Sequence, residues 1–313
     1  MTQAATIKDP RAFGRVAVLS GGWSPEREIS LQSGEQVFLA LQRRGVAVEL
    51  LDIRREDLLG DRLAGFDRAV NMMHGRGGED GLVQAVLELR GLPYPGAGVA
   101  ASALAMDKLR SKRLWRDAGL PTPGFAAPAS PAEAQQAAAV IGYPLFVKPV
   151  ADGSSVGIST VREAADLEAA YAEAAVYGDV LLEAFASGPE LTCSVLAGEA
   201  LPLIGIEPDG DFYDYRAKYL SDATRYLCPA PVDAALTARI QEMALAAFAA
   251  IGARHWGRVD FMLDGDGAPQ LLEINTLPGM TTHSLVPMAA RAAGLDFEAL
   301  CWRLLELTME DAS

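Results

Sequence analysis

Asp260, Glu273 and Asn275 are the oxygen-bearing residues whose placement first asks for a chemical explanation. They belong to two short apolar segments, Arg258 to Leu263 and Gln270 to Ile274, with Asn275 just past the second and the turn Asp264 to Gly267 between them. That pattern predicts a hairpin. A bare carboxylate on an apolar strand is costly, and two like charges at facing ends of a hairpin call for a cation. Oxygen-only donors suit Mg²⁺, whose octahedral shell at about 2.1 Å is usually completed by water and phosphate oxygens. Glu273 and Asn275, two apart on a strand, point to one face. Spacing alone leaves a second reading open, in which these are solvent-facing acids on an edge hairpin.

Lys148 precedes the small-residue loop Ala151 to Gly157 (ADGSSVG). Small residues let backbone N–H groups turn toward a phosphate, and a nearby lysine neutralises its charge. The order is not that of a Walker A loop, because the lysine comes before the glycines. An ordinary turn explains the loop equally well when it is taken by itself. The tyrosine-rich stretch Asp211 to Pro229 has no clean periodicity. It reads either as a lid or as a surface Ω-loop packed by its own tyrosines. Glu26, in GGWSPEREIS, follows the first predicted strand at the edge where α/β folds bind ligands. His74, in HGRGGEDG, is open to two readings, a ligand or a satisfied structural histidine.

These residues need elements to hold them. Arg15 to Ser20 is an apolar run ending at Gly21 and Gly22, which predicts a buried strand feeding a loop. A helix follows from about Ser30 to Gly45, and Ala47 to Asp52 resumes as a strand. Asp67 to Met73 supplies another strand and Leu82 to Leu89 a helix, so the opening is Rossmann-like. A helix is predicted from about Ser102 to Ala118, then a proline-rich junction from Pro121 to Pro131. Pro144 to Pro149 and Val180 to Phe185 read as strands, Ala164 to Ala175 as a helix. Leu236, Ile240, Met243, Ala247 and Ile251 trace one face of a further helix.

Composition bounds the partners. With 313 residues, half of them hydrophobic, the chain can bury a large core spread over two or three domains. A net charge of −14 argues against a broad grip on nucleic acid or anionic lipid, so any anion must be held locally. Met1 to Gly14 does not read as a secretory signal, and no apolar run is long enough to span a membrane. Cys193, Cys228 and Cys301 are far apart with no CxxC spacing, which fits thiols in a reducing cytosol.

Read in order, the motifs GGWSPEREIS, HGRGGEDG, YPGAGVAASALAMDK, VKP with DGSSVG, FYDYRAKYL, WGRVDFML and LLEINTLPGMTTHSLVP resemble the D-alanine:D-alanine ligases of the ATP-grasp superfamily, from Val16 to about Leu307. The resemblance implies a mixed α/β and α+β architecture, an ATP-grasp fold with an N-terminal Rossmann-like domain. Its parts would be 1–96, a central subdomain 97–186 and a C-terminal subdomain 187–313 carrying the metal site and lid loop. ATP would be the co-substrate. Lys108 and Lys148 would contact its phosphates, Glu183, Phe185 and Ala186 would read the adenine and Glu190 the ribose, with Ser154, Ser155, Lys218 and Asn275 also in the ATP site. Phe185 stands where the family often has tryptophan. Asp260, Glu273 and Asn275 match the family's ligands for two Mg²⁺ or Mn²⁺ ions, and a monovalent cation belongs to the same set of expectations.

For catalysis the resemblance implies that Glu26 holds the first D-alanine ammonium, in a hydrogen-bonded set with Ser154 and Tyr219 and with His74 nearby. Arg258 and the Gly279 N–H would stabilise oxyanions. Lys218, Ser284 and the backbone near Leu285 would hold the second D-alanine carboxylate. The implied reaction runs through a D-alanyl phosphate to D-alanyl-D-alanine, ADP and phosphate, for peptidoglycan precursor synthesis in the cytoplasm by a homodimer. Tyr219 favours D-alanine, since relatives using D-lactate tend to carry phenylalanine there. A different carboxylate:amine ligase, or an inactive nucleotide-binding regulator, are the rival readings. The regulator predicts loss of a metal ligand, Arg258 or a phosphate lysine, and all are present.

Overall fold

The structure is a computed structural model that describes residues 7–151, 157–207 and 224–310. Strand β1 (Arg15–Gly21) is buried at every residue but Arg15, because it lies at the centre of a parallel sheet covered on both faces. Its neighbours are β2 (Ala47–Ile53) and β3 (Arg68–Asn71), both parallel to it, in the order β2-β1-β3. Between β1 and β2 runs α1 (Arg27–Arg43), which begins three residues before the position read from sequence. Helix α2 (Leu82–Leu89) closes this Rossmann-like opening.

The helix expected over 102–118 is two helices, α3 (Val99–Met106) and α4 (Lys108–Asp117). Asp107 breaks it. Its backbone is extended and its carboxylate accepts the Arg110 N–H at 2.8 Å, so a residue placed inside a helix by composition is instead an N-cap.

A four-stranded antiparallel sheet follows, built from β4 (Phe125–Ala126), β5 (Leu145–Pro149), β6 (Ser159–Val161) and β7 (Val180–Ala184) in the order β4-β7-β5-β6. Helices α5 (Pro131–Ile141) and α6 (Leu167–Ala175) cover it through Ala134, Ala138, Leu167, Ala170 and Ala174. The third sheet is built around β8 (Glu190–Leu196), with β9 (Glu199–Ala200), β10 (Ile204–Glu207), β11 (Arg225–Leu227), β12 (Trp256–Leu263) and β13 (Pro269–Asn275). Its order is β11-β10-β8-β12-β13, with β9 paired to β8. The stretch 211–229, read as a loop throughout, therefore ends in a strand, since Arg225 to Leu227 pair with Gly205 to Glu207. Three residues are too few to show a period in sequence.

Helix α7 (Ala234–Ala250) packs on this sheet through Ile240, Met243, Ala244, Ala247 and Phe248, and buries Trp115 of α4 alongside. Helices α8 (Leu285–Ala292) and α9 (Phe297–Glu310) return to the first sheet, where their apolar faces share one core with Val16, Val18, Val37 and Leu41. No helix among the described residues is long and apolar enough to cross a membrane.

Trp302 of α9 locks the two ends of the chain together. Its ring meets Phe13 edge-on at 5.0 Å, Arg44 lies over it at 4.4 Å, and its indole N–H reaches the Ile7 carbonyl and Glu306. Trp302→Ala is expected to cost about 3–5 kcal/mol, as large aromatic truncations in cores do. Urea unfolding of the purified chain measures it, and a loss under about 1 kcal/mol would show that this contact is not what closes the core.

Candidate active site

Two loops meet at the carboxyl end of the first sheet. In the first, Ser24 Oγ donates to the His74 carbonyl at 2.6 Å and accepts the Glu26 N–H at 3.2 Å. Glu26 itself is half-buried at the entry to α1. In the second, Glu79 and Asp80 turn back to accept the N–H groups of Gly75 and Gly77, at 3.0 and 2.9 Å. The loop is thus held by its own acids. Two of its glycines are steric requirements: a Cβ on Gly75 would stand 2.5 Å from the Glu26 carboxylate, and one on Gly78 would stand 1.6 Å from the Met73 carbonyl.

His74 is buried, and its ring bridges two other parts of the chain. Nδ1 lies 3.1 Å from the Leu277 carbonyl and Nε2 3.0 Å from Ser33 Oγ. Of the two readings open from sequence, this geometry favours the structural one. Both ring nitrogens are occupied by protein partners.

On the other side, Lys148 of β5 and Glu183 of β7 form a buried ion pair, and Glu183 also pairs with Lys112 of α4. Lys112 is fully buried; its ammonium donates to Thr122 Oγ1 at 2.7 Å and to the Leu271 carbonyl of β13 at 3.2 Å. Burial, with the Lys148 charge adding to it, pushes Lys112 down to about 8 against the pull of Glu183. Burial would push the Glu183 carboxyl up, but the two lysines outweigh it and hold it below its ordinary value. Glu273 of β13 adds a second negative charge that acts on Lys112, so the two ammoniums lie among carboxylates from two sheets. Lys148 is the member nearer the surface.

The Lys108 side chain is nearly buried, and its backbone N–H bonds to the Val150 carbonyl at 3.0 Å, which brings the start of α4 to the exit of β5. Beyond Ala184 the strand ends one residue earlier than read from sequence, so Phe185 and Ala186 lie in the connection between the second and third sheets. Phe185 stacks on Phe146 with ring centroids 5.1 Å apart, while Ala186 is buried and Glu190, half-buried, opens β8.

The hairpin read from sequence is present. Asp260 stands opposite Glu273 and Arg258 opposite Asn275, with a register shift between Asp260 and Phe261. Arg258 grips Asp260 with two bonds, Nε to Oδ1 at 2.8 Å and Nη2 to Oδ2 at 2.7 Å, and Thr192 Oγ1 donates to Oδ1 at 2.6 Å. The burial of Asp260 is thus already offset by the chain's own cation. Three of its roughly four lone-pair positions are used, so it can offer about one more bond. Asn275 Oδ1 accepts the Leu277 N–H at 3.0 Å and likewise keeps capacity. Two carboxylates and an amide oxygen fit a magnesium-type ion that completes its shell with water and phosphate oxygens. Among the described residues no group of three or more His, Cys, Asp and Glu is placed to hold a metal.

Past Asn275 the chain carries Gly279 to the start of α8. Ser284 Oγ accepts the Thr281 N–H at 3.0 Å, and a Cβ on Gly279 would lie 3.0 Å from the same oxygen, so Gly279 and Ser284 are in contact. Leu285 opens α8, and its N–H is one of those a helix start cannot pair internally, suited to a carboxylate. Ser154, Ser155, Lys218 and Tyr219 lie outside the described residues.

The structure therefore brings Glu26 and His74 together, Lys148 together with Glu183, Phe185 close to Phe146, and Arg258, Asp260, Glu273, Asn275, Gly279, Ser284 and Leu285 along one continuous stretch. Lys112 was not legible as part of the site. Its only sequence signal is the four-residue spacing from Lys108 on one helix, which ordinary solvated faces also show.

The three-sheet ATP-grasp architecture has solved counterparts. The chain superposes on the D-alanine–D-alanine ligase from Bacillus anthracis complexed with ATP with a TM-score of 0.80 and 32% identity, covering 95% of this chain and 97% of that one. It superposes on the VanG D-Ala:D-Ser ligase from Enterococcus faecalis with a TM-score of 0.83 and 31% identity, covering 94% and 99%. Residues 114–306 match the family described as D-ala D-ala ligase C-terminus. The D-alanine–D-alanine ligase of Aromatoleum aromaticum is 53% identical over 295 residues, 94% of this chain and 96% of that one, and that of Stutzerimonas stutzeri is 50% identical over 313 residues, 99% of each. The chain belongs to the D-alanine–D-alanine ligase family.

Removing the hidden lysine should expose its weight. Lys112→Met is expected to destabilise the chain by about 3–5 kcal/mol, because it halves the compensation of a buried carboxylate. Chemical unfolding reads this, and a neutral result would mean that Lys148 alone satisfies Glu183.

Proposed function

We propose that this chain joins two D-alanine molecules to D-alanyl-D-alanine, with ATP as co-substrate and a D-alanyl phosphate as intermediate, in peptidoglycan precursor synthesis. The observation that carries the reading is one unbroken path of contacts. It runs from Asp260 and Arg258 across the hairpin to Asn275, on through Leu277 to His74, and from the His74 carbonyl through Ser24 Oγ to the Glu26 N–H. A carboxylate held at Glu26's end and a phosphoryl group held at the hairpin would then be presented to each other.

In this reading the carboxylate of the first D-alanine attacks the γ-phosphorus, a C–O–P linkage forms, and ADP leaves. The free amine of the second D-alanine attacks the acyl carbon, the C–O bond to phosphate breaks with its electron pair on phosphate, and the nitrogen gives up one proton to leave the amide. Glu26 pairs with the first ammonium, Lys108, Lys148 and Lys218 neutralise phosphate charge, and Ser154 and Ser155 donate to it. Glu183, Phe185 and Ala186 receive the adenine and Glu190 the ribose. Arg258 and the Gly279 N–H stabilise the oxyanion that develops at the acyl carbon. Lys218, Ser284 and the Leu285 N–H hold the second carboxylate, and Tyr219 completes the set around Glu26 and Ser154. Asp260, Glu273 and Asn275 would hold Mg²⁺ or Mn²⁺, which supplies further charge neutralisation when bound. The oxygen donor set supports that assignment. Division into 1–96, 97–186 and 187–313, a cytoplasmic location, a homodimer and a response to a monovalent cation belong to the same proposal.

The likeness to a D-Ala:D-Ser ligase makes the acceptor the point to test. Phosphate release from ATP with Mg²⁺ is to be followed with D-alanine alone, and with D-alanine plus D-serine or D-lactate, with product masses recorded. Dipeptide from D-alanine alone is expected, and a mixed product in preference to it would move the chain to another acceptor. Chelating the divalent ion should abolish turnover and added Mg²⁺ or Mn²⁺ restore it. Arg258→Ala is expected to lower kcat by about 10²–10³. Arg258→Lys should not recover it, since a lysine cannot make the two-pronged grip on Asp260; full activity in either variant would remove Arg258 from the chemistry.

A further inference from the structure

Helix α1 carries Ser30, Ser33 and Gln36 at three-residue spacing, which sets them along one side of the helix. Ser30 reaches the loops after β1 and β3, and Ser33 and Gln36 both reach the loop after β13. Ser30 Oγ accepts the Gly21 N–H at 2.8 Å and donates to the Met72 carbonyl at 2.7 Å, fixing the roots of the two loops that carry Glu26 and His74. Ser33 Oγ lies 3.0 Å from His74 Nε2 and accepts the Met280 N–H at 3.2 Å. Gln36 Oε1 accepts the Thr282 N–H at 2.7 Å.

The Ser33 contacts close a ring. A carbonyl can only accept, so His74 Nδ1 donates to Leu277, and Nε2 shares a hydrogen bond with the Ser33 hydroxyl. The Ser33 oxygen in turn accepts from Met280. Leu277 and Met280 are thus both held by one His–Ser pair, with Pro278 and Gly279 between them. Both side chains are buried, Ser33 completely, so these bonds are not exchanged with water and an unmade one is costly.

We propose that Ser33, with Gln36, is a positioning residue of the ligase reaction, holding the 277–282 loop so that the Gly279 N–H meets the oxyanion developing at the acyl carbon. This rests on the functional reading above, and goes beyond it in assigning a role to two residues of α1 that touch neither substrate. Donors of this kind act only when fixed at the right distance, and displacement of about 1 Å can cost about 10²-fold in rate.

The test uses the full-length chain and steady-state kinetics. Ser33→Ala is expected to lower kcat by about 10- to 100-fold with KM for ATP within about twofold of the parent, because the loop moves while the Lys148–Glu183 side of the site does not. Gln36→Ala, at a half-exposed position, is expected to lower kcat by several-fold with an unchanged melting temperature, and Gln36→Glu, which keeps an acceptor for Thr282, to restore it. Dipeptide synthesis by the parent chain establishes the functional reading independently of either variant. Parent-like kcat in both alanine variants would overturn the proposal, and so would losses of kcat and ATP affinity in equal measure, which would mark general loosening of the fold.

Discussion

A single buried carboxylate, Glu183, joins parts of the molecule that otherwise belong to different sheets. It takes Lys148 from the neighbouring strand of its own sheet and Lys112 from α4, and Lys112 continues to the backbone of Leu271 in the third sheet. None of these groups can be buried alone without large desolvation cost. Together they set where α4, the second sheet and the hairpin strand β13 lie with respect to one another. Lys148 stands at the more accessible end of this group.

The same economy governs the rest of the site. The chain carries a net charge of −14, so an anionic co-substrate is not drawn by a general field. Cations are instead placed singly and each is held in direction: Lys148 by Glu183, Arg258 by the two-pronged grip on Asp260. Opposite them, the loops at the end of the first sheet are shaped by short polar side chains, Ser24, Ser30, Ser33, Glu79 and Asp80, that bond to backbone N–H and carbonyl groups.

Much of this was legible from the residues in order. The parallel opening showed as continuous apolar runs, the hairpin of β12 and β13 as two apolar stretches around Asp264 to Gly267, and α7 as the recurrence of Ile240, Met243 and Ala247. The errors are local and each has a cause. Asp107 looked helical because its neighbours are, yet its side chain competes for the backbone and starts a new helix. Arg225 to Leu227 form the last strand in the order of the third sheet by pairing with Gly205 to Glu207, which three residues cannot announce.

Sequence alone determined the order of the elements and of the candidate site residues along them, because strands, turns and acid spacings are short-range properties and the motifs carry them in contiguous blocks. It did not determine who satisfies whom. Spacing left Asp260 open between a cation ligand and a solvent-facing acid, and only the folded sheet shows that Arg258, two residues away, bonds to both of its oxygens. His74 was open between two roles until α1 and the loop after β13 closed on its two nitrogens. Lys112 had no distinguishing mark in sequence, since the reason for its burial lies 71 residues away in Glu183. Charge compensation in an interior is a pairing between distant segments, and the packing of sheets against one another decides which pairs form.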